Sequence, residues 1–72
     1  MKSIISFDGK KPAITYPCLM ISTWNGTVVL FTADSKGTCV HAGKTNILGE
    51  HSTMWGMDLF EPFNGTITLS ND

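Results

Sequence analysis

The 72-residue sequence contains no arginine and few charged residues of any kind. Charged residues make up 15% of the chain, and the formal net charge at pH 7 is −1. Arginine is the usual side chain for bidentate contacts to phosphate and guanine, and nucleic-acid-binding domains usually carry a basic patch. The composition therefore argues against a dedicated nucleic-acid binder. So little charge also suggests that part of the surface is meant to be covered.

The sequence also lacks an apolar run long enough to span a membrane, so we expect no membrane contact. Its first residues, Lys2–Ser6, have no long apolar core and are followed at once by Asp8, which is unlike a signal peptide. These features predict a cytoplasmic protein whose two cysteines are reduced. Because the chain is short and 42% hydrophobic, we expect one small globular domain over residues 1–72 with a thin stability margin.

No segment has a convincing helical period, and the clearest pattern is a β-meander at Cys18–Ala42. Asn25-Gly26 lies between two apolar runs and predicts a two-residue type I′ turn. The segment 34–37 predicts a three-residue hairpin loop with Gly37 in the left-handed region. The meander therefore consists of three consecutive antiparallel strands.

These turns assign the side chains of the meander to two faces. The first face is predicted to be the core and comprises Leu19, Ile21, Val28, Leu30, Val40 and Ala42. On the second face, Met20, Val29 and Phe31 would form an apolar patch. Either the patch is covered, by curling of the sheet or by the terminal segments, or it is a partner-binding surface, because exposed apolar area usually marks an interface.

Outside the meander, strands are predicted at Lys2–Phe7 and at Thr66–Ser70, with a second turn at Asn64-Gly65. A short helical turn near 57–61 precedes the last strand, and it is too short to be a stable helix alone. Five or six short strands with frequent glycine and proline predict an all-β barrel. An SH3-like barrel is the first expectation, because such barrels use five strands with a helical turn before the last. An OB-like barrel or a small sandwich is the alternative.

Metal and catalytic chemistry have little support in the sequence. Cys18, Cys39 and His41 share the second face, but the two thiols would lie roughly 9–10 Å apart in a flat sheet, too far for one zinc ion or a disulfide. His51 and Ser52 point to opposite sides of a strand, which does not suit a catalytic pair. We therefore expect no metal, no cofactor and no enzymatic activity.

The aromatic residues are the better candidates for ligand contact. Trp24, Trp55, Phe60 and Phe63 could line a groove for an extended peptide or serve as stacking platforms for single-stranded nucleic acid. In so small a domain most aromatic side chains are needed for the core. Trp24, which lies at a turn, is expected to be the most exposed of the four.

Two stretches of the chain resemble short uncharacterised proteins encoded by phages and prophages. They are the run 26–32, followed by Gly37-Thr38, and the segment 63–70. The resemblance covers most of the chain and carries no diagnostic motif, so it implies no functional residues. It implies a context, because small phage accessory proteins often bind and modulate a host protein.

Together these features predict a small protein-interaction module, in the phage context a modulator or inhibitor of a host protein. The predicted partner-binding residues are Met20, Val29, Phe31, Trp24 and Trp55. A self-assembling structural or virion-associated protein is the alternative, with the same face or an open strand edge pairing with itself. Binding of single-stranded nucleic acid is the second alternative, and the net charge makes it the weakest of the three.

Overall fold

The computed structural model describes residues 1–7, 14–44 and 46–71. These form short strands and one 3₁₀ turn, at Met57–Leu59. The strands are β1 (Lys2–Phe7), β2 (Cys18–Ser22), β3 (Val28–Ala33), β4 (Lys36–His41), β5 (His51–Ser52), β6 (Phe60–Pro62) and β7 (Gly65–Ser70). The predicted helical turn is confirmed, and it is shorter than expected because β6 begins at Phe60.

The strands form two antiparallel sheets. One has five strands in the order β5-β4-β3-β2-β6, and the other pairs β1 with β7. Only Phe63 and Asn64 separate β6 from β7, so one nearly continuous segment joins the two sheets. Its first part pairs with β2 and its second part with β1.

The all-β class is confirmed, but among the described residues the sheets do not close into a barrel. The reason lies at the edges. Strand β5 is two residues long and pairs only with β4, while β1 pairs only with β7. The SH3-like and OB-like topologies stay predictions. In the described part of the chain no helix is long and apolar enough to cross a membrane.

The three-strand meander is confirmed as β2, β3 and β4, but the first turn differs from the predicted one. The Ser22 amide donates to the Thr27 carbonyl at 2.7 Å, so the loop has four residues rather than two. Only Gly26 takes a positive φ, of 79°. The hydroxyl of Ser22 accepts the amides of Trp24 and Asn25 at 3.2 and 3.4 Å, which stabilises this wider loop.

The wider loop shifts the pairing by two residues, so that Leu19 lies opposite Leu30 and Met20 opposite Val29. Because strand side chains alternate with a period of two, an even shift leaves each side chain on its predicted face. The predicted faces of β2 and β3 therefore survive the error in register. In β4 an irregularity in the pairing places His41, predicted on the second face, opposite Val28 of the first face.

The second turn also differs from its prediction. Its loop is Asp34-Ser35, and Ser35 rather than Gly37 takes a positive φ, of 65°. Gly37 lies inside β4, where an added Cβ would come within 2.5 Å of the Leu30 carbonyl oxygen. Glycine is therefore needed here for close approach of two backbones, not for the turn.

The predicted turn at Asn64-Gly65 is wrong. Gly65 is the first residue of β7 and lies opposite Phe7 of β1. A Cβ on Gly65 would collide with the carbonyl oxygen of Ser6. The strands before and after this Asn-Gly pair do not pair with each other, so the pair forms no hairpin turn. Glycine is needed at position 65 because the backbone of β1 approaches closely.

Both faces of the meander are covered. One cluster contains Met20, Val29 and Phe31, each at most 3% exposed, and is covered by Cys18, Trp55, Met57 and Phe60. The other contains Val28, Val40 and Phe63 and is covered by Ile5, Leu19, Ile21 and Ile67.

The second predicted face is therefore core and presents no exposed apolar patch. Of the two interpretations, the covered face is the one observed. The cover comes largely from segment 55–60, which folds across the sheet, rather than from the chain ends. Leu30 was expected in the core and is 37% exposed: it shares a side of β3 with buried Val28 but lies outside the cluster that covers Val28.

Candidate functional site

A cleft of about 160 Å³ lies where the first hairpin loop meets the segment before β6. Two tryptophans line it, Trp24 in the hairpin loop and Trp55 in the segment before β6. The lining residues are Ser22, Trp24, Asn25, Asn46, Trp55, Gly56, Leu59 and Phe60. Loops from three parts of the chain thus form a single surface.

The first wall is the loop between β2 and β3, which projects Trp24 toward solvent. Trp24 is 73% exposed although tryptophan has the largest apolar side chain. The loop itself is held in place, because the amide of Thr23 donates to the Leu59 carbonyl at 2.9 Å. Its hydroxyl donates to the same oxygen at 3.3 Å. The backbone that carries the exposed indole is therefore held in place by hydrogen bonds.

The second wall is Trp55, which is half-buried and fixed at two points. Its indole Nε1–H donates to the Gly37 carbonyl at 2.9 Å, and its backbone amide donates to the Ser35 carbonyl at 3.0 Å. The ring packs edge-to-face against Phe60, with 5.9 Å between centroids. Phe60 in turn packs edge-to-face on buried Phe31 at 5.2 Å. This wall is an extension of the core and is preorganised.

Between the walls, amide and hydroxyl groups form a connected network. Asn46 Oδ1 accepts from Asn25 Nδ2 at 3.0 Å and from the Thr27 hydroxyl at 2.7 Å. Asn25 Oδ1 accepts the Thr27 amide at 3.1 Å, and the Thr27 hydroxyl accepts the Gly43 amide at 3.0 Å. Thr27 is 1% exposed. The network fixes the position of both asparagines at the cleft.

Among the described residues, none that lines the cleft is ionisable, and two carboxylates lie beside it. Glu50 Oε1 accepts from Asn46 Nδ2 at 3.4 Å and from the Ile47 amide at 3.3 Å. Asp58 lies in the 3₁₀ turn between two lining residues, Gly56 and Leu59. Lys36 lies between Ser35 and Gly37, whose carbonyls accept from Trp55, so charges of both signs lie near the cleft.

The structure brings together some of the residues that the sequence predicted. Trp24 and Trp55 line the same cleft, and Phe60 joins them. Phe63 does not, because it is buried in the other core cluster, where it packs edge-to-face on Phe7 at 5.3 Å. The remaining predicted partner-binding residues, Met20, Val29 and Phe31, lie in the core and do not line the cleft.

Sequence reasoning did not anticipate the polar part of the cleft. Asn46 lies in a loop with no recognisable pattern, and only the fold carries it to Asn25, 21 residues away. Ser22 gave a weak signal, since a serine just before a turn often accepts amides from the following residues. Because Asn46 and Asn25 are far apart in the sequence, local sequence patterns could not predict that Asn46 lines the cleft.

The two thiols lie on one face of the sheet, as the alternation predicted, and both are free. Burial raises the pKa of the Cys39 thiol, and nearby Glu50 adds to the shift while a backbone hydrogen bond from His41 opposes it. Burial also raises the pKa of Cys18. His41 Nδ1 lies 2.7 Å from the Ser3 hydroxyl on β1. Over the described ranges, no three His, Cys, Asp or Glu side chains are placed to hold a metal ion.

Comparisons with known proteins return no relative: no family model, no curated protein and no solved structure matches this chain.

Proposed function

We propose that this protein is an interaction module that binds an extended segment of a partner protein in the Trp24–Trp55 cleft. The observation that carries the proposal is the 73% exposure of Trp24 in a cleft that it lines together with Trp55, whose indole is hydrogen-bonded to Gly37. Tryptophan is enriched at the centres of protein interfaces, where burial of its large ring supplies much of the binding energy.

The dimensions of the cleft favour a peptide side chain over a free small molecule. Its volume of about 160 Å³ is below the roughly 300–1,000 Å³ of pockets that enclose small ligands. A segment that places one side chain in the cleft and runs across its open border would also cover Leu59, which is 48% exposed. The fixed walls lower the entropic cost of binding.

A modulator of a host protein is the form of this function that we favour, given the resemblance to small phage proteins. In that role the module would occupy a surface of its target through one short segment. Nothing in the proposal depends on an SH3-like topology, which would supply the same kind of aromatic groove.

The proposal is tested by selecting peptides from a displayed random library on the immobilised protein. Binding of the selected peptides to the wild type, Trp24→Ala and Ile4→Thr is then measured by calorimetry. Trp24→Ala should weaken binding at least about tenfold, because hot-spot tryptophans contribute about 2 kcal/mol or more.

Ile4→Thr is the matched control. It replaces a residue 64% exposed on the other sheet with another β-branched one. Selected peptides that bind Trp24→Ala as tightly as the wild type would contradict the proposal.

Self-assembly is a second candidate, and the β1 edge favours it. In the described part of the chain β1 pairs on one side only, with β7, and it exposes Ile4 beside that open edge. Open strand edges are templates for pairing with another chain.

Light scattering over a range of protein concentrations tests this candidate. A dimer or larger species that Ile4→Lys converts to monomer would support it. A monomer at every concentration would exclude it.

A further inference from the structure

We infer that Asn64 is a site of spontaneous deamidation, and that its product isoaspartate releases the small sheet of β1 and β7 from the meander. The reaction needs no enzyme and no co-reactant other than water. Neither the cleft nor its ligand is involved, because Asn64 lies in the segment that joins the two sheets.

Deamidation of an asparagine begins with attack by the backbone nitrogen of the next residue. At Asn64 the Gly65 nitrogen gives up its proton and bonds to Cγ of Asn64. The bond from Cγ to Nδ2 then breaks, and ammonia leaves with that proton. Water opens the resulting succinimide ring at either carbonyl, which gives aspartate or isoaspartate. Glycine favours the attack, because it has no Cβ and restricts the backbone least.

The chain contains two Asn-Gly-Thr segments, and the structure restrains the first of them. The Gly26 amide, which would attack, donates to the Ser22 carbonyl at 3.2 Å. Asn25 Oδ1 accepts the Thr27 amide at 3.1 Å, and Asn25 Nδ2 donates to Asn46 Oδ1 at 3.0 Å. Ring closure at Asn25 breaks these bonds, so the folded structure protects this asparagine.

The second segment lacks such restraints. Asn64 is half-buried, and its side chain makes no hydrogen bond to any other residue that the structure describes. Gly65, which supplies the attacking nitrogen, is the first residue of β7, and β7 pairs with β1 in the small sheet. Two paired strands are marginally stable alone and open more readily than a core. Opening of the small sheet frees the Gly65 nitrogen for attack.

The product is disruptive because Asn64 lies between two anchored neighbours. On one side, the Phe63 amide donates to the Leu19 carbonyl at 3.1 Å, and the Phe63 ring is buried. On the other side, Gly65 lies opposite Phe7 and has no room for a Cβ. Isoaspartate adds one carbon atom to the backbone between these anchors. The small sheet is the less buried of the two partners, so it is the part that is displaced.

Mass spectrometry of digested, aged protein tests where deamidation occurs. The wild type is aged at neutral pH, either folded or in urea, and each deamidated peptide is heavier by about 1 Da. In urea Asn25 and Asn64 should react at similar rates, because Gly-Thr follows both. In the folded protein Asn64 should react at least about tenfold faster than Asn25.

Two variants connect these rates to the structure. Asn46→Ala removes the acceptor of the Asn25 side-chain amide. It should speed deamidation of Asn25 about threefold or more and leave Asn64 unchanged. Ser3→Ala removes the contact between β1 and His41, and should speed deamidation of Asn64 without affecting Asn25.

Hydrogen exchange of the aged protein tests the structural consequence. Molecules with isoaspartate at position 64 are separated from fresh protein by chromatography. Their β1 and β7 amides should exchange at least about tenfold faster than those of fresh protein, with Val28–Phe31 unchanged. Asn64→Asp is the matched control, because it adds the negative charge without lengthening the backbone, and it should exchange like the wild type.

Three results would overturn the inference. The first is deamidation of folded Asn64 no faster than that of Asn25. The second is unchanged exchange of β1 and β7 in the molecules with isoaspartate, which would show that the small sheet stays in place. The third is equally fast exchange in Asn64→Asp, which would show that charge rather than backbone length displaces the sheet.

Discussion

At the residue scale, the roles of the glycine residues were the hardest to predict from the sequence. Gly37 and Gly65 each follow residues typical of turns, yet both lie in strands against a neighbouring backbone. Gly26 alone does what its position predicted, with a φ of 79°. A turn signal is local, whereas close approach depends on a partner strand that can be 58 residues away, as Phe7 is from Gly65.

The crowding at Gly65 predicts a large effect of one methyl group. Gly65→Ala should lower the free energy of unfolding by about 3 kcal/mol, at the upper end of the usual cost of overpacking, because a backbone carbonyl blocks the added carbon. Gly56→Ala is the control. Its φ is −77° and its Cβ would lie 3.5 Å from the nearest atoms, so it should be neutral or slightly stabilising. Urea unfolding measures both, and equal stabilities would contradict this account.

The two cysteines should differ in reactivity. Burial raises both thiol pKa values, so neither is a thiolate at pH 7, but Cys18 is half-buried and Cys39 is buried. A disulfide exchange reagent should label Cys18 first and Cys39 only at the rate of unfolding. Mass spectrometry of Cys18→Ser and Cys39→Ser distinguishes the sites. Faster labelling of Cys39 than of Cys18 would contradict the burial of Cys39.

The raised pKa values of the two thiols also determine the direction in which stability changes with pH. Because the folded thiols have raised pKa values, the folded chain keeps their protons above pH 8–9, where the unfolded chain begins to lose them. Stability therefore falls as pH rises through that range. Cys39→Ser should reduce this fall, and an unchanged slope would contradict the burial of Cys39.

At the scale of elements, the two sheets should differ in local stability. The meander is covered on both faces by core clusters. Strands β1 and β7 form a two-stranded sheet that contacts the core through Ile5, Ile67 and the ring of Phe7 on Phe63. Its outer face exposes Ile4 and Thr68. Two strands alone are marginally stable in water. The packing of Ile5 and the contact between Ser3 and His41 hold this sheet against the meander.

Hydrogen exchange tests this difference. The backbone amides that are hydrogen-bonded between β1 and β7 should exchange at least about tenfold faster than those of Val28–Phe31. The reason is that the small sheet can open without unfolding of the meander. Ser3→Ala removes the contact to His41 and should speed exchange in β1 while leaving β3 unchanged. Equal protection in both sheets would show a single cooperative unit.

At the scale of the whole molecule, the sequence predicted the elements better than their arrangement. Periodicity and turn residues located the meander, both terminal strands and the helical turn. The alternation assigned Met20, Val29 and Phe31 to one face, but it could not show that segment 55–60 covers that face. Such cover depends on contacts between distant segments, for example Trp55 with Gly37. The same limit applies to the site: both tryptophans were predicted, and Asn46 was not.

The central claim is that the Trp24–Trp55 cleft is the binding surface. Titration of the ¹⁵N-labelled protein with a selected peptide, followed by backbone and indole chemical shifts, tests it most directly. The account predicts the largest changes at both indoles and at the side-chain amides of Asn25 and Asn46, with β1 and β7 unaffected. Changes centred on β1 and β7, or spread through Met20, Val29 and Phe31 by opening of the core, would contradict it.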